Sequence, residues 1–439
     1  MKLNVKRTIL IGFAFLSISA FWQMYDGLIP LILTNTFGIP KTASGSIMAI
    51  DNVLALFLLP LFGGISDKCK SKLGRRRPFI LFGTLISVVL MMALPIINDS
   101  YLSVPSTFKF VSFVVVLGLL LVAMGTYRSP AVALMPDVTP KPLRSKGNAV
   151  INLMGAVGGV LYLIITTFIY STKEKNVSYV PIFAIVAGIM LIALFIIMVF
   201  VNEPKLMKEQ AEYEKNHPQE ELTVSTDGDK KVMPKDVKRS LIFMLLSISF
   251  WFIGYNAIST WFTTYAQNVW GMSLGSANFC LTVGTVAAII SYIPVGAIAS
   301  KVGRKKTIIF GVILLASSFF AGFVYTLLSD HFLYILYLLF ACVGIGWASI
   351  NVNSLPMVVE MCSGADVGKF TGLYYTFSMS AQTITPILAG FLLDVIGYKA
   401  LFPYATVFVA LAIVSMSLVK HGDNKIERKK GLDAFDMDD

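Results

Sequence analysis

The chain has 439 residues, of which 56% are hydrophobic and 14% charged, against about 45 to 50% and about 25% in an ordinary soluble domain. That composition excludes a soluble globular protein and specifies an integral membrane protein embedded in a lipid bilayer. A formal net charge of +11 would point to nucleic acid only if it were gathered on a soluble surface, and its placement along the chain excludes such a partner.

A membrane span needs roughly 20 predominantly apolar residues. Twelve such segments are predicted, over 8–33, 46–62, 79–97, 110–135, 147–170, 180–201, 241–266, 277–299, 307–328, 332–359, 370–393 and 400–418. The first is too long for a cleaved signal peptide and carries Asp26 and Pro30 without a clear small-residue cleavage site, so it is expected to be a retained helix. The polar stretch 202–239 mixes Lys and Glu with Pro218, Gly228 and Pro234, and it reads as a solvated cytoplasmic linker between two six-helix bundles, 1–201 and 240–420. Residues 421–439 turn from basic to acidic and read as a disordered cytoplasmic tail. Of the 36 Lys and Arg, only Lys41, Lys109, Lys173, Lys175 and Lys399 fall in outer loops and Arg128 in a span; the rest lie in the opposite set of loops and the termini. By the positive-inside rule both termini are expected in the cytoplasm, with the plasma membrane as the site of residence.

After the second span stands Gly63-Gly64-Ile65-Ser66-Asp67-Lys68, running on to Gly74-Arg75-Arg76-Arg77-Pro78. A weaker echo, Gly296-Ala297-Ile298-Ala299-Ser300-Lys301-Val302-Gly303-Arg304-Lys305-Lys306, follows the eighth, with Ser300 where the first copy has Asp67. A turn of small residues and a basic cluster at the same point of two halves is the trace of a duplicated bundle, as in transporters built from parallel repeats. The fold class is therefore an all-α membrane protein with twelve transmembrane helices in two pseudo-symmetric six-helix bundles. Gly63 and Gly64 allow close helix approach, Asp67 can face a helix N-terminus or an arginine across the bundle, and Arg75, Arg76 and Arg77 hold the loop inside. The alternative to a gating role for Gly64, Asp67, Gly74 and the three arginines is a plain topology anchor.

Three ionisable residues, Asp26, Asp51 and Arg128, stand inside predicted spans. Charges there are costly in hydrocarbon and face a cavity or one another. At about 1.5 Å rise per residue Asp26 lies roughly 8 Å and Asp51 roughly 4 to 5 Å to the outer side of their helix midpoints, and Arg128 roughly 8 Å to the inner side. The aspartates can share a layer, whereas Arg128 needs tilt or reach to join them. With both acids ionised the set carries a net charge of −1, so one proton neutralises it, and one of the aspartates, Asp26 foremost, is expected to exchange a coupling proton. The alternative is a structural pairing that only locks helices together.

Neutral candidates for a polar solute are Trp22, Gln23 and Tyr25 on the first span, Tyr255, Asn256 and Trp261 on the seventh, and Gln382 on the eleventh, with Asn152, Asn351 and Asn353 further inward. A few placed amides and aromatic faces suit sugar hydroxyls and the apolar faces of pyranose rings; each also serves as packing or an interhelical hydrogen bond. Gly155 and Gly159 are expected to form a helix-packing face. Cys69 and Cys362 fall in inner loops, Cys280 and Cys342 in helices, and His217, His331 and His421 in loops or tail. With no metal-ligand spacing, nucleophile elbow or phosphate loop, neither an enzyme nor a metal or other cofactor is expected.

The loop from Gly64 through Asp67 to Gly74-Arg75-Arg76-Arg77-Pro78-Phe79-Ile80 resembles the second-to-third-helix loop of the sucrose-proton symporters and their animal and bacterial relatives, and Ala133-Leu134-Met135-Pro136-Asp137 resembles theirs at the end of the fourth helix. These are major facilitator transporters, near the glycoside-pentoside-hexuronide cation symporters. The resemblance implies the major facilitator fold and a small neutral sugar, a disaccharide or glycoside, as substrate. In the similar melibiose permease two aspartates of the second helix hold the coupling cation; here Leu59 and Ala55 stand at those places, with Asp51 a turn further out. That departure favours protons over sodium. The expected function is a proton-coupled sugar symporter working by alternating access; the alternatives are an exporter or a carrier of another polar solute, and a membrane sensor or scaffold, for which 202–239 is a short and polar soluble segment.

Overall fold

The computed structural model describes residues 4–139, 144–170, 178–216, 234–329, 334–361 and 367–423. Among them twelve helices are long and apolar enough to cross a membrane, and helices suit hydrocarbon because they satisfy every backbone polar group internally. In chain order they are α1 (Val5–Leu31), α2 (Lys41–Asp67), α3 (Arg77–Ser103), α4 (Thr107–Asp137), α5 (Arg144–Ile169), α6 (Val180–Phe200), then a polar helix α7 (Glu203–Asn216), and α8 (Lys235–Val269), α9 (Leu274–Val302), α10 (Arg304–Leu328), α11 (Ile335–Val359), α12 (Val367–Val395) and α13 (Leu401–Ser417). Most overrun the predicted apolar segments, since helix continues into polar residues beyond the hydrocarbon. α1 passes through Pro30 into a π-helical turn, Ile32–Thr36.

Two expectations are corrected. The stretch 202–239 is not simply a solvated linker: α7 starts at Glu203, whose side chain is buried, with Pro204 at the first turn where its missing N–H costs nothing. Residues 217–233 of that stretch lie outside the described residues. In the tail, His421 and Asp423 are fixed by hydrogen bonds to Ser240 and to the N–H of Arg304, because a helix start without its own cap needs an acceptor; 424–439 lie outside the described residues.

The chain forms two compact units, unit 1, Met1–His217 with Ser273–Phe279, and unit 2, Pro218–Met272 with Cys280–Asp439. In unit 1, α1 packs on α5 and α6, and α3 on α4 and α6. Unit 2 repeats the scheme, with α8 on α12 and α13, and α10 on α11 and α13. The same pairing of first with fifth and sixth, and third with fourth and sixth, is the duplication expressed in packing. Small residues bring these helices close. On α1–α5 a Cβ at Gly155 would sit 2.9 Å from Ser19 Oγ, and one at Gly158 would collide with the carbonyl of Leu16. Gly159, expected on that face, has only an ordinary contact at 3.7 Å with Gln23 Oε1. Gly158 is therefore the residue that sets the approach.

Candidate transport site and inner loop

Between Leu10 and Thr34, α1 exposes a single residue, Asp26. Every other position in that stretch is buried or half-buried, and a charge facing lipid there would be prohibitively costly. Trp22 and Gln23 are half-buried one turn before it and Tyr25 is buried beside it. Phe21, Trp22 and Tyr25 form a cluster of edge and stacked rings with centroids 5.3 to 6.2 Å apart. That cluster fixes the indole, over which the Arg128 guanidinium sits at 5.4 Å from the ring centroid, a cation–π geometry. Arg128, Asp26 and Asp51 lie within electrostatic range of one another, with Tyr25 in the field of both acids. Arg128 makes no ion pair within 4.0 Å among the described residues.

Among the described residues, Trp22 Nε1, Tyr25 Oη, Asp51 Oδ1 and Tyr162 Oη are buried without a hydrogen-bond partner, as is Asn152 Nδ2 nearer the start of α5. Tyr162 lies in the field of Asp26, and its Oη would stand 3.6 Å from a Cβ on Gly27. Buried polar groups are usually satisfied, so unspent donors and acceptors beside an exposed acid equip this face to take hydroxyl groups. Tyr162 was not found from sequence; its one signal is its place on the same helix as Asn152.

In unit 2, Tyr255 stacks on Trp347 with centroids 3.7 Å apart and planes 6° from parallel, and Phe252 meets Trp347 edge-on at 5.3 Å. Trp347 lies one turn from Asn351 on α11, the i to i+4 spacing that shares a face, which is the signal that sequence reading passed over. The amides are more committed than expected. Asn256 Nδ2 donates to Phe252 O at 2.8 Å and Asn353, which is buried, donates to Ser349 O at 2.9 Å. Trp261 is fully buried with its Nε1 unpartnered among the described residues, while Asn351 and Gln382 are half-buried.

The inner loop of unit 1 is an ion-pair network. Of the two roles expected for Asp67, facing a helix N-terminus or an arginine across the bundle, it takes up one nearer the first: it pairs with Arg76, the residue immediately before α3, and Arg76 also bonds Gly63 O at 3.2 Å and Ser66 Oγ. Its Nε meets Asp137 Oδ2 at 2.7 Å, and Arg75 Nη2 meets Asp137 Oδ1 at 2.7 Å. Glu203 accepts the backbone N–H groups of Arg75, Arg76 and Arg77 at 2.9 to 3.1 Å, placing an anion on the positive end of α3. Gly74 has φ +112°, which a side chain resists, and a Cβ there would collide with the Glu203 carboxylate. Gly64, by contrast, has open space around it, so close approach belongs to Gly63, whose Cβ would lie 3.1 Å from Ser129 Oγ.

Unit 2 repeats the arrangement with other residues. Gly303 has φ +102°, Asp423 Oδ1 accepts the N–H of Arg304 at 2.6 Å, and Arg304 pairs with Glu360 at the end of α11. Asp423 stands for Glu203 and Glu360 for Asp137. The side chain of Ser300 lies outside the described residues. Glu203, Glu360 and Asp423 were missed because they fall in stretches read as linker, span end and tail; aligning the end of the sixth span with that of the last shows an acid in both.

A Major Facilitator Superfamily model matches residues 11–278 and 266–434. The chain belongs to this superfamily. Among curated proteins, Sucrose transport protein SUC3 of Arabidopsis thaliana is 36% identical over 138 residues, 29% of this chain and 23% of that protein. Proton-associated sugar transporter A of Homo sapiens is 30% identical over 127 residues, 28% of this chain and 17% of that protein. The matched part of the chain thus spans less than a quarter of the length of either relative. Among solved structures, a D-xylose-proton symporter superposes with a TM-score of 0.66 over 94% of this chain and 98% of its own at 14% identity, and a bacterial homologue of the iron transporter ferroportin in an inward-facing state with 0.69 over 95% and 99% at 11%. At such identities the likeness is one of fold; the superfamily match, together with the twelve apolar helices among the described residues, makes this a multi-pass membrane protein.

Proposed function

We propose that this major facilitator protein is a secondary active transporter, a proton-coupled symporter of a small neutral sugar, a disaccharide or glycoside, working by alternating access between the bundles 1–201 and 240–420. It is no enzyme in this reading, and it resides in the plasma membrane with both termini in the cytoplasm, where the basic loops belong. The observation that carries the proposal is the exposure of Asp26 in the middle of a packed span, within range of Asp51 and Arg128 and beside unspent hydrogen-bonding groups. A carboxylate that must be neutral to cross a low-dielectric state and charged to release its proton suits coupling. The donors and aromatic rings suit hydroxyls and pyranose faces, and apart from Arg128 the set offers no cation to hold an anionic substrate. The local similarity to sucrose transport proteins and to a proton-associated sugar transporter supports the same substrate class.

The deciding experiment is uptake of labelled neutral disaccharides into proteoliposomes with and without an imposed pH gradient. Accumulation only with the gradient is expected. Accumulation driven by sodium alone would remove the proton, and transport of no sugar with strong uptake of lipophilic cations would replace the reading with an efflux carrier.

A further inference from the structure

The residues after α13 fold back onto unit 2 at the end that carries Lys301, Arg304 and Lys305. Ser240, in the second turn of α8, accepts the N–H of Lys420 at 3.1 Å and bonds His421 Nδ1 at 2.9 Å. Gly422, at φ +87°, seats against Met357 and Met361, and Asp423 holds the start of α10. Beside this strap is a cavity of about 450 Å³ lined by Arg239, Lys420, His421, Asp236, Phe243 and Leu418 among others.

The lining is sorted by depth. Phe243 and Leu418 lie toward the hydrocarbon, on the first apolar turns of α8 and just beyond α13, whereas Arg239 and Lys420 are exposed at the polar rim. Arg239 is braced over the Phe243 ring at 5.6 Å. Neither Arg239 nor Lys420 enters an ion pair among the described residues, and Asp236 is the one acid in the lining. Two uncommitted cations, an imidazole and an apolar floor, at the level where one span enters the bilayer and another leaves it, match a phosphate carried on an acyl stem and not a soluble ion.

We propose that this cavity binds the headgroup of an anionic phospholipid of the leaflet facing the basic loops, its phosphate between Arg239 and Lys420 and the start of its acyl chains on Phe243 and Leu418. The bound lipid bridges the first span of unit 2 to the strap behind the last, and so clamps the unit at that end.

The test is native mass spectrometry of the purified full chain with phosphatidylglycerol and phosphatidylcholine of identical acyl chains, and with inorganic phosphate as competitor. Phosphatidylglycerol is expected to be retained preferentially. Arg239→Gln and Lys420→Gln should each weaken it about fivefold, and both together about 25-fold, the effect of losing one juxtamembrane cation each. Arg239→Lys should retain most of the binding, and Lys238→Gln, one residue away but outside the cavity lining, should change little; thermal melts of each variant confirm folding. Equal retention of the two lipids, or equal losses from Lys238→Gln and Arg239→Gln, would overturn the site in favour of diffuse attraction. Displacement of the lipid by millimolar phosphate would overturn the lipid in favour of a soluble anion.

Discussion

Glu203 occupies the space that a side chain on Gly74 would need, and its carboxylate closes over three backbone N–H groups at the start of α3. Gly74→Ala therefore meets a strained φ and a collision at once, with a cost of about 1 to 3 kcal/mol from the backbone alone. Glu203→Gln keeps the shape and loses the charge, costing about 1.5 to 3 kcal/mol for hydrogen bonds to a charged group. Thermal unfolding in detergent measures both. In the double variant Gly74→Ala/Glu203→Ala the loss should be less than the sum of those of Gly74→Ala and Glu203→Ala alone, since removing the carboxylate vacates the contested space; strict additivity would show that the two residues do not meet.

The two acids that face the arginines should separate stability from cycling. Asp137 is 14% exposed and bonds Arg75 and Arg76, whereas Asp67 is 54% exposed and, among the described residues, pairs with Arg76 alone. Asp137→Asn is expected to cost about 2 kcal/mol and Asp67→Asn under about 1 kcal/mol, as for exposed pairs. Asp67→Asn should still slow transport far more than Ser300→Ala while leaving membrane insertion intact. Equally mild transport effects from Asp67→Asn and Ser300→Ala would reduce the loop to an anchor.

Asp26→Asn is expected to abolish accumulation driven by a pH gradient and to retain exchange of sugar across the membrane, because the amide mimics only the protonated state. Asp51→Asn, at a half-buried position, should alter the pH range of uptake without uncoupling it. Uptake and counterflow in the same proteoliposomes read both, and undiminished accumulation in the Asp26 variant would take that residue out of the mechanism.

Trp347 is expected to bind sugar through its ring, braced by Tyr255. Trp347→Ala should raise the KM about tenfold, the loss of roughly 1 to 1.5 kcal/mol of aromatic contact, and Trp347→Phe should recover most of it with kcat little changed. A fall in kcat at constant KM would instead assign the ring to the conformational step.

The spans, the duplication and the superfamily were legible because apolar length, repeated glycines and basic ends are local properties of sequence. Asp26, Asp51 and Arg128 were legible for the same reason: a charge in an apolar run is conspicuous wherever it ends up. What escaped was relational. Glu203 and Asp423 look like solvated acids until α3 and α10 are seen to present bare N–H groups to them, and Gly158 looks no different from Gly159 until the helix crossing selects one. Asn256 and Asn353 show the converse, amides that looked available and turn back to their own helices.

The paired acids also impose an order on biogenesis. Glu203 emerges directly after the sixth span, so the first bundle can fasten the start of α3 while the rest of the chain is still being made. Asp423 emerges only behind the final span, and the start of α10 must wait for it through three further helices. A chain halted between them would hold the acceptor for the start of α3 and lack the one for the start of α10.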